Sequence, residues 1–378
     1  MSVWDDVVGQ AAAVSVLRAA TQDVGAMTHA WLITGPPGSG RSNAARAFAA
    51  ALQCEQGGCG HCQACATSLA GTHADVTLIA TEKVTISIEE VRDLIGLAQR
   101  APSQGRWRVI VLEDADRMVE RTSNVLLKAI EEPPPRTVWL LCAPSPQDVA
   151  VTIRSRCRGV ALRIPPVADV AALLVSRDGA DPEVADVAAR AAQSHIGLAR
   201  RLARDPQARA RRARTLHLAA TIRGVGDAVL AAGDLVEVAS AESKAATEDR
   251  DAAEKAALLH ALGAEAGQTL PPSLRAQVRQ LEDDQKRRAT RAQRDVLDRS
   301  LLDLLSLFRD VLVVQLGADV DLVNAAQEAD VRRLAADSSP EQTIRRMDAI
   351  GEARTRLAGN VAPLLAMEAM TVALRPQG

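Results

Sequence analysis

Short, mainly apolar runs alternate with helix-period stretches through the first 165 residues. After Pro165-Pro166 the runs stop and only helix-period stretches continue. The runs are Trp31–Thr34, Val76–Ala80, Trp107–Leu112, Val138–Ala143 and Val160–Ile164, each followed by turn or polar residues. Each run predicts a strand, and Val138–Ala143, nearly continuous in apolar residues, is of the kind covered on both faces in parallel sheets. Between them, helices are predicted over Ala11–Ala20, Asn43–Leu52, Ile88–Gln99 and Ser123–Ile130, with a short helical segment in Val149–Cys157. Ser87 and Glu90 stand at capping-box spacing, and Pro133 to Pro135 end the fourth helix. Alternating strands and helices predict an α/β domain with a mostly parallel sheet over residues 1–165.

Residues 166–210 then read as a small helical companion or lid domain, with helices in Val167–Leu174, Glu183–Gln193 and Gly197–Arg204. Residues 211–378 read as all-α. Two short apolar helices are expected within Leu216–Val238, and a long surface helix over Ser240–Leu262. A break follows at Thr269–Pro272, then an interrupted helical stretch over Gln277–Val314. Val331–Ala336, Ser339–Leu357 and Val361–Leu374 complete the domain. A chain of 378 residues exceeds one comfortable core, so several domains are expected.

The formal net charge of −2 gives no global nucleic-acid signature, although arginine dominates the basic residues and the run Arg209–Arg214 is rich in it. Tyrosine is absent and only Trp4, Trp31, Phe48, Trp107, Trp139 and Phe308 are aromatic, which argues against a base-stacking platform. Neither a basic, apolar leader nor an apolar run of membrane length is present, so a soluble cytoplasmic protein is expected.

The chemistry centres on Gly35-Pro36-Pro37-Gly38-Ser39-Gly40-Arg41-Ser42, placed between the first strand and a helix. This follows the phosphate-loop pattern except that Arg41 stands where lysine is usual. Glycines let backbone N–H groups turn toward phosphate, the helix start adds positive potential, and Ser42 is placed to hold Mg²⁺. A planar guanidinium reaches differently from an ammonium, so the exchange is not conservative. Glu113-Asp114 follows the apolar run Trp107–Leu112, where a nucleotide hydrolase places an aspartate for Mg²⁺ and a glutamate for water. Both carboxylates remain but in reversed order, and shifts of about 1 Å damage oriented chemistry.

Cys54, Cys59, Cys62 and Cys65 form C-x4-C-x2-C-x2-C with glycines between them. Four thiolates this close suit one structural Zn²⁺ and leave no open position for catalysis; a disulfide cluster is the alternative. Cys142, inside an apolar run, reads as core, and Cys157 stands apart.

VVGQ at Val7–Gln10, HAWLITGPPGSGRS, the four-cysteine knuckle, VIVLEDADRM, LLKAIEEPP and Ser155-Arg156-Cys157, in this order and spacing, resemble the bacterial DNA polymerase III δ′ family of clamp loader subunits. The stretch around Asp283–Asp310 is similar to its actinobacterial type. The resemblance implies an AAA+-type P-loop domain, a lid domain and an all-α collar through which five subunits associate. Implied partners are the τ/γ motor subunits, the δ subunit and, through the assembly, the sliding clamp and primer–template DNA. It also implies that Arg156 acts in trans as an arginine finger on a neighbour's ATP; on local pattern alone Arg156 is a surface arginine after a helix. The lid motif aligns on Ser194-His195-Ile196-Gly197, which puts Gly197 at the position of a phosphate-sensing arginine, with Arg200 and Arg201 one turn later. Ala143-Pro144-Ser145 stands where motor subunits carry threonines. The expectation is a degenerate own site that binds ATP/Mg²⁺ weakly and turns over little or none alone. The competing readings are a stand-alone replication or recombination ATPase and a motor subunit of the same loader.

Overall fold

The structure is a computed structural model describing residues 2–81, 85–261 and 272–376. The first of its two units, Met1–Asp205, is built on a five-stranded parallel sheet in the order β2-β3-β4-β1-β5. The strands are β1 (Ala30–Thr34), β2 (Val76–Ile79), β3 (Arg108–Leu112), β4 (Thr137–Ala143) and β5 (Arg158–Ala161). Every residue of β1, β3 and β4 is buried, which is why these segments read as mainly apolar runs. β1 lies between β4 and β5, with Leu32 opposite Leu141 on one side and Gly159 on the other.

Helices cover the sheet. The helices α1 (Ala11–Gln22), α2 (Arg41–Gln53) and α3 (Gln63–Ala70) lie in the same apolar cluster as Trp31, Val109 and Leu140. Phe48 of α2 meets Trp31 edge-on, ring centroids 5.1 Å apart. The opposite layer contains α4 (Ile88–Ala98), α5 (Glu120–Glu131) and α6 (Val151–Arg154), packed on Leu32, Ile110 and Trp139. Ser87 and Glu90 form the expected capping box at the start of α4. A buried pair anchors the sheet end: Asp75 meets Arg108 at 2.9 Å and accepts N–H groups of Ser103, Gln104 and Gly105. Burial raises the Asp75 pKa, but the three N–H groups outweigh it and bring it down to about 2.

α7 (Val167–Asp178), α8 (Pro182–Ala191) and α9 (Ile196–Arg204) pack on one another and complete the first unit. The edge strand β5 begins two residues before the expected Val160 and ends at Ala161. Leu162 still bonds to β1, through Thr34, and Arg163 is then held by Gln10 instead of a neighbouring strand.

The second unit, Pro206–Gly378, contains only helices among its described residues. They are α10 (Pro206–Thr221), α11 (Val225–Ala261), α12 (Pro272–Gln315), α13 (Glu328–Ala336), α14 (Pro340–Ala358) and α15 (Pro363–Leu374). Two expectations are corrected here. The second short helix of Leu216–Val238 and the surface helix from Ser240 are one continuous α11, because no proline or helix-ending turn separates them. Gln277–Val314 is uninterrupted within α12: its charged first half is tied to α11 by Arg288 with Asp251 and Glu254, and its second half is buried by Leu297, Leu304 and Phe308. Of the break at Thr269–Pro272, residues 269–271 lie outside the described residues.

Candidate functional site

The turn from β1 to α2 is built as the glycines predict. Gly38 and Gly40 have positive φ, +85° and +90°, and the Gly35 N–H bonds Ala143 O at the end of β4. Gln10 buttresses the turn: its amide donates to Ser39 O at 3.3 Å and to Arg163 O at 2.6 Å, and its carbonyl accepts from Arg163 N. One buried side chain thus joins the phosphate loop to the chain leading into α7.

The pocket's charged side chains are engaged within the chain. Arg41 folds back and donates Nη1 to Gly35 O at 2.8 Å. Glu113 is held by Arg46 of α2, with Nη2 to Oε1 at 2.9 Å and Nε to the same oxygen at 3.1 Å. Asp114 accepts the Thr81 N–H at 3.1 Å and faces Arg117 at 3.6 Å. Burial, helped by the Asp114 charge, raises the carboxyl pKa of Asp116. Burial also pushes the Cys142 thiol up to about 12, so this sulfur is protonated at neutral pH.

The third helical layer closes on the same loop. His195 caps α9, its Nδ1 accepting the Leu198 N–H at 3.3 Å. It rests on the crest of the turn: a Cβ on Gly38 would fall 2.5 Å from its Cγ. Gly197 offers no side chain here, and Arg200 is turned to Asp178 of α7 at 2.7 Å. The backbone has the turn of a phosphate loop, while the carboxylates of Glu113 and Asp114 are engaged by Arg46, Thr81 and Arg117.

Arg156 lies outside this pocket, in the turn after α6. Its side chain is 38% exposed; Nε lies 2.5 Å from Glu131 Oε1, and Nη1 donates to Thr152 O at 2.8 Å. Burial pushes the neighbouring Cys157 thiol up to about 12.

The four knuckle cysteines follow α2, and Cys65 lies in α3. Their sulfurs all lie within 4.8 Å of one another, with Cys62 and Cys54 at 3.8 Å. A tetrahedral site with Zn–S near 2.3 Å needs sulfurs about 3.8 Å apart, so the donor set fits zinc. All four are free thiols. Burial raises the Cys54 thiol, but N–H groups of Cys59, Gly58 and Gln56 outweigh it and bring it down to about 6, suited to a thiolate ligand. Burial pushes the Cys65 thiol up.

Sequence reasoning located the loop, the acidic pair, the cysteines and Arg156. It missed the roles of Gln10, Arg46, His195 and Glu131. Gln10, Glu131 and His195 lie inside quoted motifs, VVGQ, LLKAIEEPP and Ser194–Gly197, but Arg46 lies in none; all four act through partners 25 or more residues away.

Sheet order and the glycine-rich turn between β1 and α2 together define the class: an α/β domain of the P-loop type. Residues 9–166 match the family described as DNA polymerase III, delta subunit. Over that region the chain is similar to DNA polymerase III clamp loader subunits. It is 38% identical over 143 residues to a DNA polymerase III subunit delta′ of Pseudomonas aeruginosa, covering 36% of this chain and 44% of that protein. It is 32% identical over 174 residues to the subunit gamma/tau of Mycobacterium tuberculosis, covering 45% of this chain and 30% of that protein. The chain thus spans less than half the length of these relatives. A solved DNA polymerase III gamma subunit-related protein from Thermotoga maritima aligns over 96% of this chain and 98% of its own, at 14% identity and a TM-score of 0.42. Among the described residues no helix is long and apolar enough to cross a membrane.

Proposed function

We propose that this chain is the δ′, stator-like subunit of the DNA polymerase III clamp loader. It works in the cytoplasm with τ/γ motor subunits and a δ subunit, in an ATP-driven assembly that opens the sliding clamp and loads it on primed DNA. The observation that carries this reading is the division of charge. Arg41, Glu113 and Asp114 are engaged around the loop, whereas Arg156, though paired with Glu131, lies with its partner at the surface in the turn after α6. A guanidinium delivered across a subunit interface stabilises charge on a transferring phosphoryl group and makes hydrolysis depend on assembly. In this reading the chain's own loop binds ATP/Mg²⁺ weakly through Gly35–Ser42. Cys54, Cys59, Cys62 and Cys65 hold one structural Zn²⁺, which staples the excursion between α2 and α3. The second unit is the collar through which subunits associate.

The similarity to gamma/tau favours one second reading, a motor subunit with a live pocket. Steady-state ATPase of the reconstituted loader, with clamp and primed DNA, separates the two. In the δ′ reading Arg156→Ala lowers turnover on the order of 10³-fold with assembly intact, and Arg41→Ala changes it less than about twofold. The reverse pattern establishes the motor reading.

A further inference from the structure

Glu131 is the last residue of α5, and Glu132 and Pro133 turn the chain away from the helix axis. Its Oε1 lies 2.5 Å from both Nε and Nη2 of Arg156. On the opposite edge of the guanidinium, Nη1 donates to Thr152 O at 2.8 Å and to Ser155 Oγ at 3.3 Å. A guanidinium carries five N–H bonds in one plane. Nε and Nη1 are engaged in these hydrogen bonds and Nη2 adds an ion-pair contact to Glu131, which restrains the plane of a guanidinium that stays partly exposed.

The pair is exposed, 38% for Arg156 and 43% for Glu131, and an ion pair in water adds little stability. Its effect is on orientation. An unrestrained arginine samples many rotamers, and a group used in a transition state works best when already aimed. A carboxylate gripping the Nε edge restrains the side chain without burying it, since Arg156 stays 38% exposed.

We propose that Glu131 is a positioning residue for Arg156. Its carboxylate holds the guanidinium by the Nε edge so that Nη2 meets the transferring phosphoryl group of a nucleotide bound by a neighbouring subunit. This rests on the reading of Arg156 as a finger acting in trans.

The test is kcat and KM for ATP in the reconstituted loader with clamp and primed DNA. It compares wild type, Glu131→Ala, Glu131→Gln, Arg156→Ala and the Glu131→Ala/Arg156→Ala double variant, with assembly followed by gel filtration. Glu131→Ala lowers kcat about tenfold with KM within about twofold, and Glu131→Gln, whose amide oxygen still accepts the Nε–H, recovers most of the loss. The double variant is no worse than Arg156→Ala. An unchanged or raised kcat in Glu131→Ala, with Arg156→Ala still strongly impaired, overturns the positioning role and leaves the finger standing. So does a loss that follows assembly or KM. If Arg156→Ala is itself silent, the finger reading falls and the proposal falls with it.

Discussion

The phosphate loop and the Ser155-Arg156-Cys157 turn belong to one unit and hold their paired carboxylates at different depths, Glu113 14% exposed and Glu131 43%. Around the loop, arginines are spent on the chain's own acceptors: Arg41 on Gly35 O and Arg46 on Glu113. The imidazole of His195 also lies on the loop crest. In the turn, Arg156 is paired with an exposed carboxylate at the surface, which restrains it without burying it. An intact loop motif therefore says less about catalysis than the fate of the side chains around it. A pocket can keep its backbone and lose its chemistry when neighbouring cations take the carboxylates.

The comparison is sharpened by separating damage to the scaffold from damage to either site. Asp75→Asn is the largest scaffold test. It leaves Arg108 buried without its carboxylate, and destabilisation of about 3 kcal/mol is expected in urea unfolding at pH 7. Stimulated turnover per assembled complex should nonetheless stay within about twofold of wild type, the converse of Arg156→Ala. A collapse of turnover at intact assembly would show that the two regions are not independent of the sheet end.

The pH dependence gives the same contrast at smaller size. The Asp75 pKa falls from 3.8 in the open chain to about 2 in the fold. The stability it contributes is therefore complete above about pH 4 and is lost as pH falls through about 2. That contribution is about 2 kcal/mol by linkage, and the wild type should lose it across this window while Asp75→Asn does not.

The knuckle tests whether the far end of α2 is a separate staple. Protein purified without added metal should contain about one zinc per chain, and Cys54→Ser should reduce this below about 0.2. Melting temperature should fall with the metal, and turnover at assembled, unmelted concentrations should not. Metal analysis with calorimetry checks both.

The smallest effect concerns the loop crest. His195→Ala opens the space above Gly38, and the isolated chain should bind ATP about threefold to tenfold more tightly by calorimetric titration, still without turnover. Turnover by that variant would break the contrast, because it would tie any silence of the loop to the His195 contact rather than to the engaged carboxylates.

Much of the first unit was legible because its signals are local. Gly38 and Gly40 adopt the positive φ angles their turn demands, Ser87 and Glu90 cap as their spacing predicts, and the cysteine spacing brings four sulfurs together. What was not legible depends on distant partners. Nothing near Arg46 indicates that it reaches Glu113, 67 positions away, and nothing near Glu131 indicates Arg156. The length of α11 was missed because alanine-rich apolar and charged segments differ in composition but share one helical path, and only a breaker would have divided them. The edge strand β5 ended early because its alternating exposure gives a weaker pattern than a buried run, and Gln10 takes over its last residues.

The insertion of β1 between β4 and β5 bears on how the chain is made. Ala30 pairs with Trp139, 109 positions later (139 − 30), and β1 has no other strand partner before β5. At about 5–20 residues per second, a ribosome needs on the order of 5–20 s to deliver that partner. For this interval a nascent Ala-Trp-Leu-Ile-Thr segment, fully buried in the finished sheet, waits with both hydrogen-bonding edges open. Such a segment is an aggregation hazard and a natural place for a chaperone to hold the growing chain. The phosphate loop attached to it gains its support only after most of the unit has emerged.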